Sequence, residues 1–487
     1  MNQDKMPLLG ALRRHIKQKP VSFHVPGHKN GRLMPDGVKN LFSDALLLDQ
    51  TELCGLDDLH DPAEAILEAQ ELTASLYGAK RSFFLTGGST SGNQAMILAS
   101  FQRGDRVLVQ RDAHKSVLNG LRLAGVKPVF IFSEYDSVTQ LPTGLNPKTV
   151  QQAFSTYRDA KGLIITSPSY YGWTAKVSEL IETAHQHGAA VLVDEAHGAH
   201  FITNECFPPS SLQEGVDAAV HSAHKTLPAL TMGAFLHVGS QSMVDEARLK
   251  ECAALLQSSS PSYVIMASLD SARHYAYQLK CQNREALEPH LLHTRNQILE
   301  ATGLEAATPP YGVKQDLLKL ILTAPAGYDG FTLQRCLEKN GIYSELADTR
   351  HVLLLLGLST EPLSEEVLGR LQCAARLLKK TKPAVNDEQV PFQLEELPLI
   401  EADLSYGIFE QKETKTITLS SAIGEYPAVD ITPYPPGVPL FLKNEQIDER
   451  RYSFLLQWLK GGGRAQGIKK DFRGHWCIDV YKRKETI

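Results

Sequence analysis

Four short segments of this chain carry side chains with chemistry to offer, and each follows an apolar run. Ser222-Ala-His224-Lys225 places a lysine just beyond Ala218–Val220. An amine in a partly desolvated pocket sheds its charge more readily and becomes a nucleophile toward an aldehyde. Val191-Leu-Val-Asp194-Glu-Ala-His197 ends a second run with a carboxylate able to hold the N–H of a heteroaromatic ring. Thr86-Gly-Gly-Ser89-Thr90-Ser-Gly92 offers small residues and hydroxyls where a helix begins, which suits a phosphate. Arg111-Asp-Ala-His114-Lys-Ser116 brings an imidazole that can stack on a ring.

Singly, each segment has an ordinary explanation as a surface lysine, a strand-end aspartate, a helix-capping turn or a loop histidine. Jointly they supply an amine, a carboxylate, a phosphate cradle and a stacking ring, which are the needs of pyridoxal 5′-phosphate (PLP). Two other readings of the same letters fail. Asp194-Glu-Ala-His197 spells a helicase box, but no G-x-x-x-x-G-K-[ST] phosphate loop occurs in the chain. His197 and His200 lack carboxylate or thiol partners at ligand spacing, so no metal is expected.

The elements that must position these residues follow from periodicity. Ser82–Leu85, Arg106–Val109, Pro128–Phe132, Leu163–Thr166, Val191–Val193 and Ala218–Val220 read as strands. Helical stretches such as Ser91–Phe101 and Val177–His187 lie between them. Strands alternating with helices predict a parallel sheet covered on both faces, with the strand C-termini along one ligand-binding edge. Met243 to Ala301 reads as helical with a break near Ser258–Ser262. A second pattern follows: Asp316–Thr323 and Val352–Leu356 as strands, and Thr332–Asn340 as a helix. Lys379–Glu388 reads as a linker. The expected division is an N-terminal segment (1–60), a PLP-binding large domain (61–300) and a C-terminal α+β region (301–487).

The 487 residues carry a formal net charge of −5 and are 43% hydrophobic, too long a chain for one compact core. The mild charge argues against a nucleic-acid partner. No segment is apolar enough for a signal peptide or a membrane span, so a cytoplasmic protein is expected. The seven cysteines are scattered singly, without disulfide or zinc spacing.

With these motifs in place, the chain resembles the prokaryotic ornithine/lysine/arginine decarboxylases, fold-type-I (aspartate-aminotransferase-like) PLP enzymes. His24-Val-Pro-Gly-His-Lys29, Leu56-Asp-Asp-Leu-His60, the Gly-Ser-Thr-Ser loop, His114-Lys-Ser116, Asp194-Glu-Ala-His197, Ser222-Ala-His-Lys225 and Tyr434-Pro-Pro-Gly437 carry the likeness. It runs from about residue 7 to about residue 445 and matches the short subgroup without an extra N-terminal domain. The resemblance implies that Lys225 is the Schiff-base lysine, Asp194 holds the pyridine nitrogen, His197 lies beside the ring and His114 stacks on it. It further implies phosphate contacts from Ser89, Thr90, Ser222 and His224, and a site closed by the segment bearing His24 and His28. Homodimers or higher oligomers with shared sites are implied as well. In one departure, an acidic residue expected near Val429 is displaced or lost.

The expected reaction is decarboxylation of a basic amino acid, arginine or lysine before ornithine, to a di- or polyamine precursor. A cationic substrate needs acidic partners, and Asp57, Asp58, Glu425 and Asp430 are the candidates. One alternative is an aminotransferase or aldol-type lyase, in which Arg350 would clamp the substrate carboxylate. Another is a non-catalytic PLP-fold binding protein, disfavoured because both the lysine and the aspartate are present.

Overall fold

The computed structural model describes residues 1–175, 177–282, 285–381, 399–401, 413–443 and 445–482. Its centre is a sheet built mainly from seven strands. These are β1 (Arg81–Leu85), β2 (Arg106–Gln110), β3 (Lys127–Ile131), β4 (Ala160–Thr166), β5 (Ala190–Asp194), β6 (Ala218–His221) and β7 (Ala234–Val238). The order is β1-β7-β6-β5-β4-β2-β3, with Leu399–Glu401 added antiparallel at the β3 edge. Strands β3, β2, β4, β5 and β6 are mutually parallel. Strand β7 runs against both β6 and β1, so β1 points the same way as β6. Six of the seven were legible from apolar periodicity. The seventh, β7, reads Ala-Phe-Leu-His-Val and is fully buried, with His237 interrupting its apolar letters.

Alternation along each strand sends successive side chains to opposite faces. Leu108, Val129, Leu163, Val191, Val193 and Ala219 join one core with helices Ile66, Phe154, Ile181 and Met266 belong to. Val107, Val109, Phe130, Ile164, Leu192 and Val220 join the other, under the helices Gly88–Ser100, Lys115–Ala124 and Glu246–Leu255. A sheet buried on both faces explains why its strands read as continuous apolar runs.

The expected break in the long helical region is present, since Glu246–Leu255 ends before Tyr263–Gln282 begins, and Leu287–Thr302 follows. Beyond it lies an antiparallel sheet ordered Glu305–Ala306, Lys319–Thr323, His351–Leu355, Leu346–Ala347. Helices Gly330–Glu338 and Glu365–Lys380 complete this smaller unit. One hydrophobic cluster joins its Leu322, Val352 and Leu371 to Ile431, Phe441, Trp458 and Val480. Of the stretch read as a linker, Lys379 and Lys380 finish a helix, and the part from 382 onward lies outside the described residues. Among the described residues no helix is long and apolar enough to cross a membrane.

Candidate active site

β1, β2, β5 and β6 run in one direction, so the segments that follow them gather at a common edge. A cavity of about 380 Å³ opens there. Ser89, His114, Asp194, His197 and Lys225 all line it. The smaller unit and the C-terminal segment supply the facing wall, with Arg350, Pro436, Val438, Leu440, Phe454 and Trp458.

Helix Gly88–Ser100 starts at this edge without a side-chain cap, leaving its first N–H groups to a ligand. Gly88 adopts φ +75°, a backbone that favours glycine. At Gly92 a Cβ would lie 2.5 Å from Val220 Cγ2, so only glycine lets the helix press this closely on the sheet. Ser222 Oγ donates to Ser89 Oγ at 2.7 Å, joining two of the expected phosphate hydroxyls. Thr90 is exposed at the same helix start, and His224 Nδ1 is bonded to Gly233 O. Neither of these two lines the cavity.

Asp194 is 4% exposed and held from two sides. Asn93 Nδ2 donates to its Oδ2 at 2.9 Å, and Ala196 N–H donates to its Oδ1 at 3.2 Å. Asn93 Nδ2 also donates to Ser116 Oγ, which lies 2.8 Å from His114 Nδ1. The carboxylate and the stacking candidate are thus fixed by one network. Gly437, at φ +89°, backs onto the His114 ring, where a Cβ would lie 3.0 Å from Nε2. Lys115 N–H donates to Gly437 O, and Arg111 donates to Pro439 O and Glu445. These bonds seat the Pro-Pro-Gly turn against the large domain.

Lys225 is partly buried, with Nζ 3.1 Å from His197 Nε2. Burial lowers its basicity, against the opposing pull of Asp194 and Glu345. On the other side of the imidazole, Lys319 Nζ lies 3.0 Å from His197 Nδ1 and donates to Tyr170 O at 2.6 Å. Burial, then the two lysines, hold His197 well below its usual basicity, so the ring is neutral. The Tyr170 ring meets His197 edge-on, and its hydroxyl donates to Glu345. The other acid of the motif, Glu195, is buried and accepts from Ser210, Ser211 and His221, a structural knot behind the site. His200, fully buried, pairs with Asp316 at 3.0 Å.

The proposed substrate acids stand elsewhere. Asp57 accepts backbone N–H bonds from Asp58, Ala63, Glu64, Ile66 and Leu67, which anchor the start of helix Ala65–Tyr77. Asp58 accepts from His60 N–H. Glu425 faces Lys415 at 3.4 Å, and Asp430 binds Arg122 through both oxygens at 2.7 Å. None of the four lines the cavity, and neither does any residue from 1 to 60 of the same chain. His28 pairs with Asp49, and His24 with its neighbouring backbone. Carboxylates that do line it, besides Asp194, are Asp112 and Asp348. Asp348 is committed to Tyr171, His351 and the Arg350 N–H.

Sequence reasoning did not find Asn93, Tyr170, Lys319 or Asp112. Asn93 immediately follows the Gly/Ser loop, one helical turn past Ser89, and that spacing was an available signal. Lys319 lies 94 residues past Lys225, inside the strand read at Asp316–Thr323, and no local pattern marks it as part of the site.

Residues 6–309 match the family model described as Orn/Lys/Arg decarboxylase, major domain. An uncharacterised Bacillus subtilis protein, YaaO, is 40% identical over 95% of this chain and 96% of its own. An arginine decarboxylase of Bacillus subtilis is 31% identical over the full length of both chains. The Escherichia coli constitutive lysine decarboxylase shares the fold at a TM-score of 0.79 and 19% identity, over 98% of this chain and 82% of that one.

Proposed function

The chain belongs to the Orn/Lys/Arg decarboxylase family, and on that premise we propose that it is a PLP-dependent decarboxylase of a basic amino acid. The observation that carries the reading is the convergence of Lys225 and Asp194 on one cavity beside an uncapped helix start. This donor set fits PLP. The helix start with Ser89, Thr90, Ser222 and His224 would hold the phosphate, Asp194 the pyridine nitrogen and Lys225 the aldehyde carbon, while His114 would stack on the ring. Bound PLP supplies an electron sink for the pair left on the substrate Cα when carbon dioxide departs.

The chain's own groups do the rest. Asp194, pinned by Asn93 and Ala196 N–H, keeps its charge aimed into the cavity. Lys225 and His197 are the adjoining nitrogens able to carry a proton to Cα, which completes the exchange of carbon dioxide for hydrogen. Pro436, Val438, Leu440 and Trp458 present an apolar wall that excludes water from that exchange. Asp112 lines the cavity and is the carboxylate best placed to meet a cationic side chain.

The relatives named arginine decarboxylase favour arginine, with lysine next and ornithine last. A homo-oligomer with shared sites is part of the same reading. Its support is the exposed apolar surface of the N-terminal segment, where Phe23 is 93% exposed and Val21, Val25, Leu33 and Leu41 are open too. A cytoplasmic location also belongs to the proposal.

The test is to incubate the protein with PLP and arginine, lysine or ornithine separately, and identify the products. One amine with equimolar carbon dioxide is expected. A keto acid instead would favour an aminotransferase using Arg350, which lines the cavity, and would overturn the decarboxylase.

A further inference from the structure

Lys319 is a fully buried cation to which the reaction assigns no task. It projects from the first long strand of the smaller unit into the large domain, beneath Tyr170 and Gly172. Four nitrogens follow one another there: Lys319 Nζ, Nδ1 and Nε2 of His197, and Lys225 Nζ, with contacts of 3.0 and 3.1 Å between the residues.

Each of these contacts accommodates one hydrogen. A neutral imidazole has one N–H and one lone pair, so it donates to one lysine and accepts from the other. An amine accepts a hydrogen bond only when uncharged. One of the two lysines must therefore be the free base. Lys319 has a second partner that can only accept, Tyr170 O at 2.6 Å, and its Nζ lies 5.1 Å from the Tyr170 ring centroid, nearer than Lys225 Nζ at 5.9 Å. Both favour an ammonium there. The hydrogen bond that Lys225 Nζ makes among the described residues is the one to His197.

We propose that Lys319 is a positioning residue that donates to His197 Nδ1, thereby fixing the imidazole proton on Nε2, from which it is donated to the lone pair of Lys225. The lysine that must attack an aldehyde is thus held as the free base by a buried cation two hydrogen bonds away. The surrounding carboxylates do not make this distinction, because Asp194 and Glu345 act on Lys225 while Asp316 and Glu345 act on Lys319. His114 and His200 are the other titratable rings that act on His197.

The inference deepens the reading of Lys225 as the cofactor lysine, but its test does not need the cofactor. Acylation of Lys225 by a limiting amine-reactive reagent, read by mass spectrometry in cofactor-free protein, reports its free-base fraction. Lys319→Met should lower that labelling roughly tenfold at neutral pH, the equivalent of about one unit of pKa, and leave the alkaline plateau unchanged. Lys319→Arg, which keeps a donor cation, should restore most of it. In a His197→Phe background, Lys319→Met should add nothing further. Unchanged labelling in Lys319→Met, or an undiminished effect without His197, overturns the relay. Histidine-selective ¹⁵N spectra of the unaltered protein are independent of any variant's folding. A proton on His197 Nε2 supports the proposal and one on Nδ1 refutes it. Borohydride trapping of PLP tests the underlying reading separately. An adduct away from Lys225 would sink the cofactor assignment while leaving the tautomer result intact.

Discussion

The two walls of the cavity are built on different principles. The large-domain wall carries the candidate reactive groups, each at a strand end or a few residues past one. Asp194, Asn93, Ser116 and His114 fix one another through buried hydrogen bonds. The opposite wall is drawn from several distant stretches and is largely apolar, with Pro436, Val438, Leu440, Phe454 and Trp458. Its polar residues are mostly committed to the fold, as Asp348 is to Tyr171 and His351. In the proposed reaction one wall would supply chemistry in a preorganised frame, and the other shape and dryness.

That contrast breaks most directly at Lys225. Lys225→Ala should cost turnover roughly ten-thousandfold or more and abolish the visible absorbance of lysine-bound PLP, measured by product formation and spectrum. Asp194→Asn should retain PLP but lose about a thousandfold in kcat, equivalent to several kcal/mol of barrier. A near-normal kcat would reduce Asp194 to a structural residue and erase the distinction between the walls.

Lys319 reaches from the smaller unit to His197 behind the cavity lining, and pH sharpens its role. Burial holds its amine at about 8, below its ordinary 10.5. Below about 8 it is charged whether folded or unfolded, and the depressed pKa then costs stability, up to about 3 kcal/mol. Between 8 and 10.5 the folded chain binds fewer protons than the unfolded one, so this cost fades as pH rises. Lys319→Met should therefore unfold at higher denaturant than the parent at neutral pH, with the advantage shrinking by pH 10.5. A constant difference would show that no buried charge is involved.

The smallest expected effect lies in the C-terminal region. Asp430 is bound by Arg122 through both oxygens and also accepts from Lys443 N–H. Asp430→Asn should lower stability by about 1–3 kcal/mol and leave KM unchanged, whereas Asp112→Asn should raise KM for the cationic substrate. A raised KM in Asp430→Asn would move substrate recognition to the opposite wall.

Legibility in the sequence divides along the same line. That Lys225, Asp194, His114 and Ser89 share one edge could be read because a parallel sheet brings strand ends together, and strand ends are visible as the close of apolar runs. Asp57 reads as recognition chemistry because an acidic pair stands near a histidine, and in the fold its carboxylate gathers five backbone N–H groups. Lys319 meets His197 only after the two units pack, Tyr170 meets it through a loop contact, and no periodicity encodes either meeting. Trp458 was equally silent, since an apolar residue lining a cavity has the same signature as one filling a core.

His197 meets Lys319 and His200 meets Asp316, three residues apart on both sides. All four side chains are buried, and His200 and Asp316 have no exposure at all. Parting the large and small units would break both pairs together, so the joint favours one closed arrangement over hinging. Traffic into the cavity must pass through its mouth while the two units stay closed, and on heating they should come apart in a single cooperative step.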